Sequence, residues 1–172
     1  MKTTRKIVRT LGDRRGFTLV EVLVASMILV VALLTLASMF PMGYRQITDA
    51  GRMTVAVSGA RHILEDVGDI PFNNISNING VDTVSNAGVI AGLGGTEAAI
   101  ARRWRYMLAG SGNGFTFTSA ETTAWGAVQP FGGRAVVTVA NTSATLRTVT
   151  VTVTVPGLPG NVTLSTVIVR MF

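Results

Sequence analysis

The sequence predicts an α+β fold in which one long N-terminal helix packs on a small C-terminal antiparallel sheet, as three observations indicate. The run from Phe17 to Phe40 is almost uninterruptedly apolar, an apolar stripe at helical spacing continues from Met53 to Val67, and valine alternates with threonine over 148–155. The first two carry the helical period and the third the period of a strand. At 172 residues the chain accommodates one modest domain and an appendage.

The chain begins with a basic segment. Lys2, Arg5, Lys6, Arg9, Arg14 and Arg15 face only Asp13 within residues 1–16, so nine basic and eight acidic residues are left for the other 156 positions. The net charge of +6 and pI of about 11.1 therefore describe a leader, not a basic surface for nucleic acid. Residues 17–40 contain one charge, Glu21, and the hydroxyls of Thr18, Ser26, Thr35 and Ser38, which a helix satisfies internally. At about 1.5 Å per residue this stretch spans roughly 36 Å, enough for a ~30 Å hydrocarbon core. The basic cluster precedes the span, which predicts a cytoplasmic N-terminus and an extracytoplasmic C-terminal domain. A removable secretory signal has a shorter apolar region with small residues on its far side. Ser38-Met39-Phe40-Pro41 does not fit that pattern, so the helix is expected to be retained.

Pro41 and Gly43 are expected to weaken or bend the helix. Beyond them Met53, Val57, Ala60, Leu64 and Val67 form one stripe, and Arg45 with Asp49 and Arg61 with Glu65 form i,i+4 opposite-charge pairs. Gly68 and Ile70-Pro71 stop the helix. The Asn-, Gly- and Ser-rich residues 71–100 read as a long connection. The alternation of Trp104, Tyr106 and Leu108, the Gly-Ser-Gly-Asn-Gly turn, and Phe115 with Phe117 favour a hairpin over a helix for that region. Arg134 to Ala140, Thr148 to Val155 and Asn161 to Phe172 read as strands, the last two joined by a Pro156-Gly-Leu-Pro159-Gly turn and paired antiparallel. The expected segments are a leader over 1–16, a transmembrane helix over 17–42, an amphipathic continuation over 43–70, and a loop and sheet domain over 71–172.

Composition excludes several chemistries. With no cysteine and a single His62, the chain offers no disulfide, no thiolate zinc site and no pair of imidazoles. No nucleophile triad or carboxylate pair is visible, and neither enzyme activity nor a cofactor is expected. Gly92-Leu93-Gly94-Gly95 lacks the Lys-Ser/Thr of a phosphate loop. Arg102, Arg103 and Arg105 with Trp104 and Tyr106 have the residue types of a nucleic-acid surface, but a solvated face beside an aromatic core contact is the expectation. His62 and Asp66 read as a surface pair, and Trp125 and Phe131 as packing residues.

The string Arg14-Arg15-Gly16-Phe17-Thr18-Leu19-Val20-Glu21 resembles the class III signal of type IV pilins and of the pseudopilins of type II secretion. The resemblance implies cleavage between Gly16 and Phe17 by prepilin peptidase on the cytoplasmic side and N-methylation of Phe17. It also implies an assembly role for Glu21, which meets the amine of a neighbouring subunit and sets register. The expected partners are prepilin peptidase, other pilin or pseudopilin subunits, the inner-membrane assembly platform, and membrane lipid before assembly. Nucleic acid is not an expected partner. The Val-rich string after Glu21 and the small C-terminal domain are similar to the type IV pilus modification protein (the V-type minor pilin) and the I-type minor pseudopilin. Two alternatives stand beside this reading. One is a pilus-tip adhesive or DNA-binding module using Arg102 to Tyr106, and the other is an uncleaved signal-anchor protein with a periplasmic β domain.

Overall fold

The computed structural model describes residues 16–84 and 88–170. The leader's basic residues therefore lie outside the described residues. In chain order the elements are α1 (Leu19–Gly68), a 3₁₀ turn (Ile75–Ile78), β1 (Val81–Asp82), α2 (Val89–Gly92), α3 (Gly95–Ala109), α4 (Ser119–Trp125), β2 (Arg134–Asn141), β3 (Leu146–Thr154) and β4 (Val162–Val169). The chain divides into two compact units, Met1–Arg45 and Gln46–Phe172.

The described part of the first unit is helical from Leu19 onward, and α1 continues through Pro41 to Gly68. All residues from Phe17 to Phe40 are exposed, as an apolar surface without a protein core must be. The hydroxyls inside this stretch bond to their own helix: Ser26 Oγ donates to the Leu23 carbonyl at 2.9 Å, Thr35 Oγ1 to Val31 at 2.8 Å and Ser38 Oγ to Thr35 at 2.7 Å. Such back-bonding removes most of the polarity that these groups would otherwise present to hydrocarbon.

The second unit is α+β, with the rest of α1 packed on a four-stranded antiparallel sheet of order β1-β2-β3-β4. Register aligns Val137 with Val151 and Val151 with Leu164. The alternation read from sequence is borne out: Val149, Val151 and Val153 are buried to nothing exposed, while Thr148, Thr150 and Thr152 face the other way. Burying each such valine stabilises the fold by ~1.5–3 kcal/mol relative to leaving it exposed. On the opposite face, hydroxyls pair across strands, Thr150 with Ser165 at 2.8 Å and Thr152 with Thr163 at 3.3 Å. β4 ends at Val169, short of the predicted run to Phe172, whose last two residues lie outside the described ones.

The α1 face that enters the core is Ala56, Ala60, Ile63 and Val67, all fully buried. It shares Ala60 and Val67 with the predicted stripe but is centred one residue to the side. Val57 and Leu64 pack half-buried at its margin and Met53 stays 49 % exposed. The side-chain contacts on this helix also differ from expectation, with Asp49 3.7 Å from Arg52 and Glu65 3.7 Å from His62, both at i,i+3.

Residues 95–109 are a helix, which includes the segment Arg102 to Leu108 where the sequence favoured a hairpin strand. Glu97, Ala101, Trp104, Arg105 and Leu108 are buried, a spacing that only a helix turns to one side. Gly110 adopts φ +68° and donates its N–H to the Arg105 and Tyr106 carbonyls, so the glycine-rich segment caps a helix. What remains of the hairpin is the single bridge from Gly112 to Phe115. Likewise 71–100 is not one long connection, since it contains the 3₁₀ turn, β1, α2 and the start of α3.

Candidate functional site

The site that the sequence singles out lies where the chain enters α1. Gly16 and Phe17 precede the helix in non-helical conformation, and Phe17 is 87 % exposed. A Cβ built on Gly16 would meet nothing within 4 Å. No packing among the described residues therefore requires a glycine there.

Thr18 and Glu21 form a reciprocal cap. The Thr18 main-chain N–H donates to Glu21 Oε2 at 2.8 Å, the Thr18 hydroxyl donates to the same oxygen at 2.9 Å, and Thr18 Oγ1 lies 3.2 Å from the Glu21 N–H. This is a capping box, in which a hydroxyl and a carboxylate three residues apart satisfy the free donors of a helix start. Sequence reading gave Thr18 no part in the site, although Thr18-Leu-Val-Glu21 carries the S/T-x-x-E signature. Both Thr18 donors converge on Oε2, so Oε1 is left for a second donor.

Immediately beyond the cap is a helix long and apolar enough to cross a membrane. Its best 18-residue window has a mean hydropathy of 2.7 and none of that window is buried. Residues 12–37, which span Gly16, Phe17 and Glu21, match the family model described as the prokaryotic N-terminal methylation motif. Over these residues the chain carries a prepilin-type N-terminal methylation motif. The match covers the entry to α1 and the apolar run as far as residue 37. No curated protein and no solved structure matches the chain. The long helix and small four-stranded antiparallel sheet are the α+β architecture that the sequence predicted.

The other sequence signals resolve into structure. The arginine and aromatic cluster on α3 is tied down residue by residue. Arg102 makes a two-pronged pair with Glu121, Nε to Oε1 at 2.8 Å and Nη2 to Oε2 at 3.1 Å, and also donates to the Thr116 carbonyl at 2.7 Å. Those contacts, with the Thr118 cap, pull the Glu121 carboxyl down to about 2. Arg103 donates to His62 Nε2 at 2.8 Å and lies 3.7 Å from Asp66. Arg105 is 5 % exposed, donating to the carbonyls of Gly110 at 2.9 Å and Thr83 at 3.0 Å, and burial lowers its pKa. Trp104 is buried, with its indole N–H on Asp66. The cluster is thus a scaffold for the second unit, not an open cationic surface.

Asp66 is occupied by Trp104, so the expected His62–Asp66 surface pair is replaced by His62 with Arg103 and Glu65. Trp125 packs with Tyr106 and Phe117, their ring centroids 5.5 and 5.7 Å away. Phe131 packs against the core from its edge. Among the described residues no group of three metal-ligating side chains is present.

Proposed function

We propose that this chain is a minor subunit of a type IV pilus or of a type II secretion pseudopilus. Prepilin peptidase cuts between Gly16 and Phe17 on the cytoplasmic side, and the new amine of Phe17 is methylated. The apolar helix holds the protein in the inner membrane, with the C-terminal domain outside, until the assembly platform lifts it laterally into a bundle of similar helices. The observation that carries this reading is the methylation-motif match over residues 12–37, which contains the cut site and Glu21 together.

The local chemistry supports each step. An open Gly16 beside the start of a helix offers the peptidase a backbone without a side chain in the way. Glu21 lies in an apolar helix, where an ionised side chain near mid-membrane costs roughly 2.5–3.5 kcal/mol on insertion scales. Thr18 offsets part of that cost in the precursor. Cleavage removes neither cap donor, because both belong to Thr18, and it creates an ammonium at Phe17. Oε1 of Glu21 can then accept the ammonium of a neighbouring subunit as the helices come together. An unmatched charge in a dry bundle is strongly destabilising, so the pair sets axial register.

The test is the N-terminus of protein extracted from membranes of cells that carry the peptidase. Edman degradation or mass spectrometry is expected to find methylated Phe17 as the first residue and the loss of residues 1–16. An intact Met1 end would instead establish an uncleaved signal anchor.

A further inference from the structure

The sheet has two edges, and only one of them is blunted. β1, at one edge, is two residues long, and its Asp82 is paired with Arg134. β4, at the other, runs from Val162 to Val169 and pairs with β3 alone among the described residues. Its sequence, Val-Thr-Leu-Ser-Thr-Val-Ile-Val, holds no charge, proline or glycine, and its register with β3 is continuous, without a bulge. Short strands, charges, prolines and bulges are what keep an open edge from pairing with another chain. β4 has none of them.

The pairing with β3 fixes what the open side offers. The Arg170 N–H donates to the Thr145 carbonyl at 2.9 Å, one step beyond the Leu146–Val169 pair. Antiparallel pairs alternate between bonded and unbonded, so the even-numbered residues of β4 bond to β3. The main-chain N–H and C=O groups of Thr163, Ser165, Val167 and Val169 therefore point out of the open edge. Val167 and Val169 are also 58 % and 56 % exposed. On the core side, Leu164 and Ile168 pack against the buried cluster but stay only half-buried at its margin. The core is thus incompletely covered along the same edge.

We propose that β4 pairs antiparallel with β4 of a second copy of this chain, about a two-fold axis at Thr166, so that two four-stranded sheets become one continuous sheet. Side chains keep their faces only where residues of equal parity meet. Centring on Thr166 sets Ser165 against the partner's Val167, Thr163 against the partner's Val169 and, on the core side, Leu164 against the partner's Ile168. All four outward-pointing residues then find bonding partners, and the half-buried apolar side chains cover one another. Centring on Ser165 would instead leave Val169 opposite Asn161, outside the strand. The absence of charge selects a copy of the same strand as occupant, because a two-fold contact sets one surface against itself and a charged strand would repel its own image. The charge that follows the strand is Arg170. Antiparallel pairing sets the two copies of it about 27 Å apart along the strand, at ~3.4 Å per residue, beyond the Debye length of ~8 Å. The contact uses none of Gly16, Phe17 or Glu21 and stands independently of the filament role.

Because the chain has no cysteine, single-cysteine variants of the full-length protein report the register. Membranes of cells producing Thr166→Cys or Thr163→Cys are treated with copper phenanthroline before extraction. Opposed Thr166 positions form an unbonded pair with Cα atoms about 4.5 Å apart, inside the ~4.4–6.8 Å range of a disulfide. The two Thr163 positions lie about 20 Å apart along the strands, out of reach. Thr166→Cys is expected to give a reducible band at twice the monomer mass, with mass spectrometry finding this chain alone in it, and Thr163→Cys is expected to give none. No link from Thr166→Cys would overturn the proposal. Equal links from both variants, which random collision would give, would overturn it too, as would a link from Thr166→Cys to a different protein.

Discussion

The indole Nε1 of Trp104 donates to Asp66 Oδ2 at 2.9 Å inside the second unit, joining α3 to the C-terminal part of α1. Both residues are buried, Trp104 completely and Asp66 to 7 % exposure. Replacing Asp66 by Ala leaves the indole N–H buried without an acceptor and removes the carboxylate beside Arg103. The expected loss is about 1–3 kcal/mol. Chemical denaturation of Asp66→Ala, Trp104→Phe and the double variant measures it, and a coupling of at least ~0.5 kcal/mol is expected for residues in direct contact. Additive single effects would show that the bond contributes nothing of its own.

Thr18 is expected to share the assembly role proposed for Glu21. Glu21→Val is predicted to leave membrane insertion and cleavage largely intact while lowering incorporation into filaments. Thr18→Val keeps the side-chain shape but removes the hydroxyl that both donates to and accepts from Glu21. It is expected to give a milder loss of incorporation, because the Thr18 main-chain N–H still reaches Oε2. Immunoblots of sheared filaments against membrane fractions measure both. Wild-type incorporation of Glu21→Val would remove the role assigned to the carboxylate.

Acid stability carries the signature of Glu121. Hydrogen bonds from Arg102, then from the Thr118 main chain, take its pKa from 4.5 to about 2 in the folded protein. A folded-state pKa below the unfolded one means that this contribution is complete above pH 4.5 and is lost as pH falls from there toward 2. Glu121→Gln is therefore expected to be less stable than wild type near pH 7, with the gap closing across that interval. Urea midpoints measured every half unit of pH give the answer, and a gap that stays constant would refute the coupling.

The β3–β4 turn is held from α1. Gly157 has φ +78°, the third position of the Val155-Pro-Gly-Leu158 turn, and its carbonyl accepts from Arg52 Nη1 at 3.0 Å. A Cβ there would lie 2.4 Å from that same nitrogen. Gly157→Ala is expected to cost at least ~1–2 kcal/mol from the left-handed backbone alone, with displacement of Arg52 in addition. Gly160→Ala, in the same connection but in open space, is expected to lie within about 0.5 kcal/mol of wild type. Thermal melts of the two variants separate turn strain from a general intolerance of side chains.

The sequence by itself determined the features that rest on local pattern. The span from Phe17 to Phe40, the stop at Gly68, the alternating Val and Thr of β3 and its antiparallel pairing with β4 follow from periodicity, length and turn residues. The motif from Arg14 to Glu21 was equally legible, because those residues are contiguous and their chemistry does not wait for folding. Tertiary structure decided what depends on partners far apart in the chain. Residues 102–108 satisfy strand and helix periods almost equally, and Trp104 finding Asp66 across 38 positions, with Arg105 reaching the Thr83 carbonyl across 22, selected the helix. The same contacts turned a cluster with the composition of a cationic surface into internal scaffolding, since Arg105 is buried among carbonyls and Arg102 is paired with Glu121. Thr18 lies between these cases. Its capping pattern with Glu21 is written in the sequence, but only coordinates reveal that both of its donors converge on one oxygen and leave the other open.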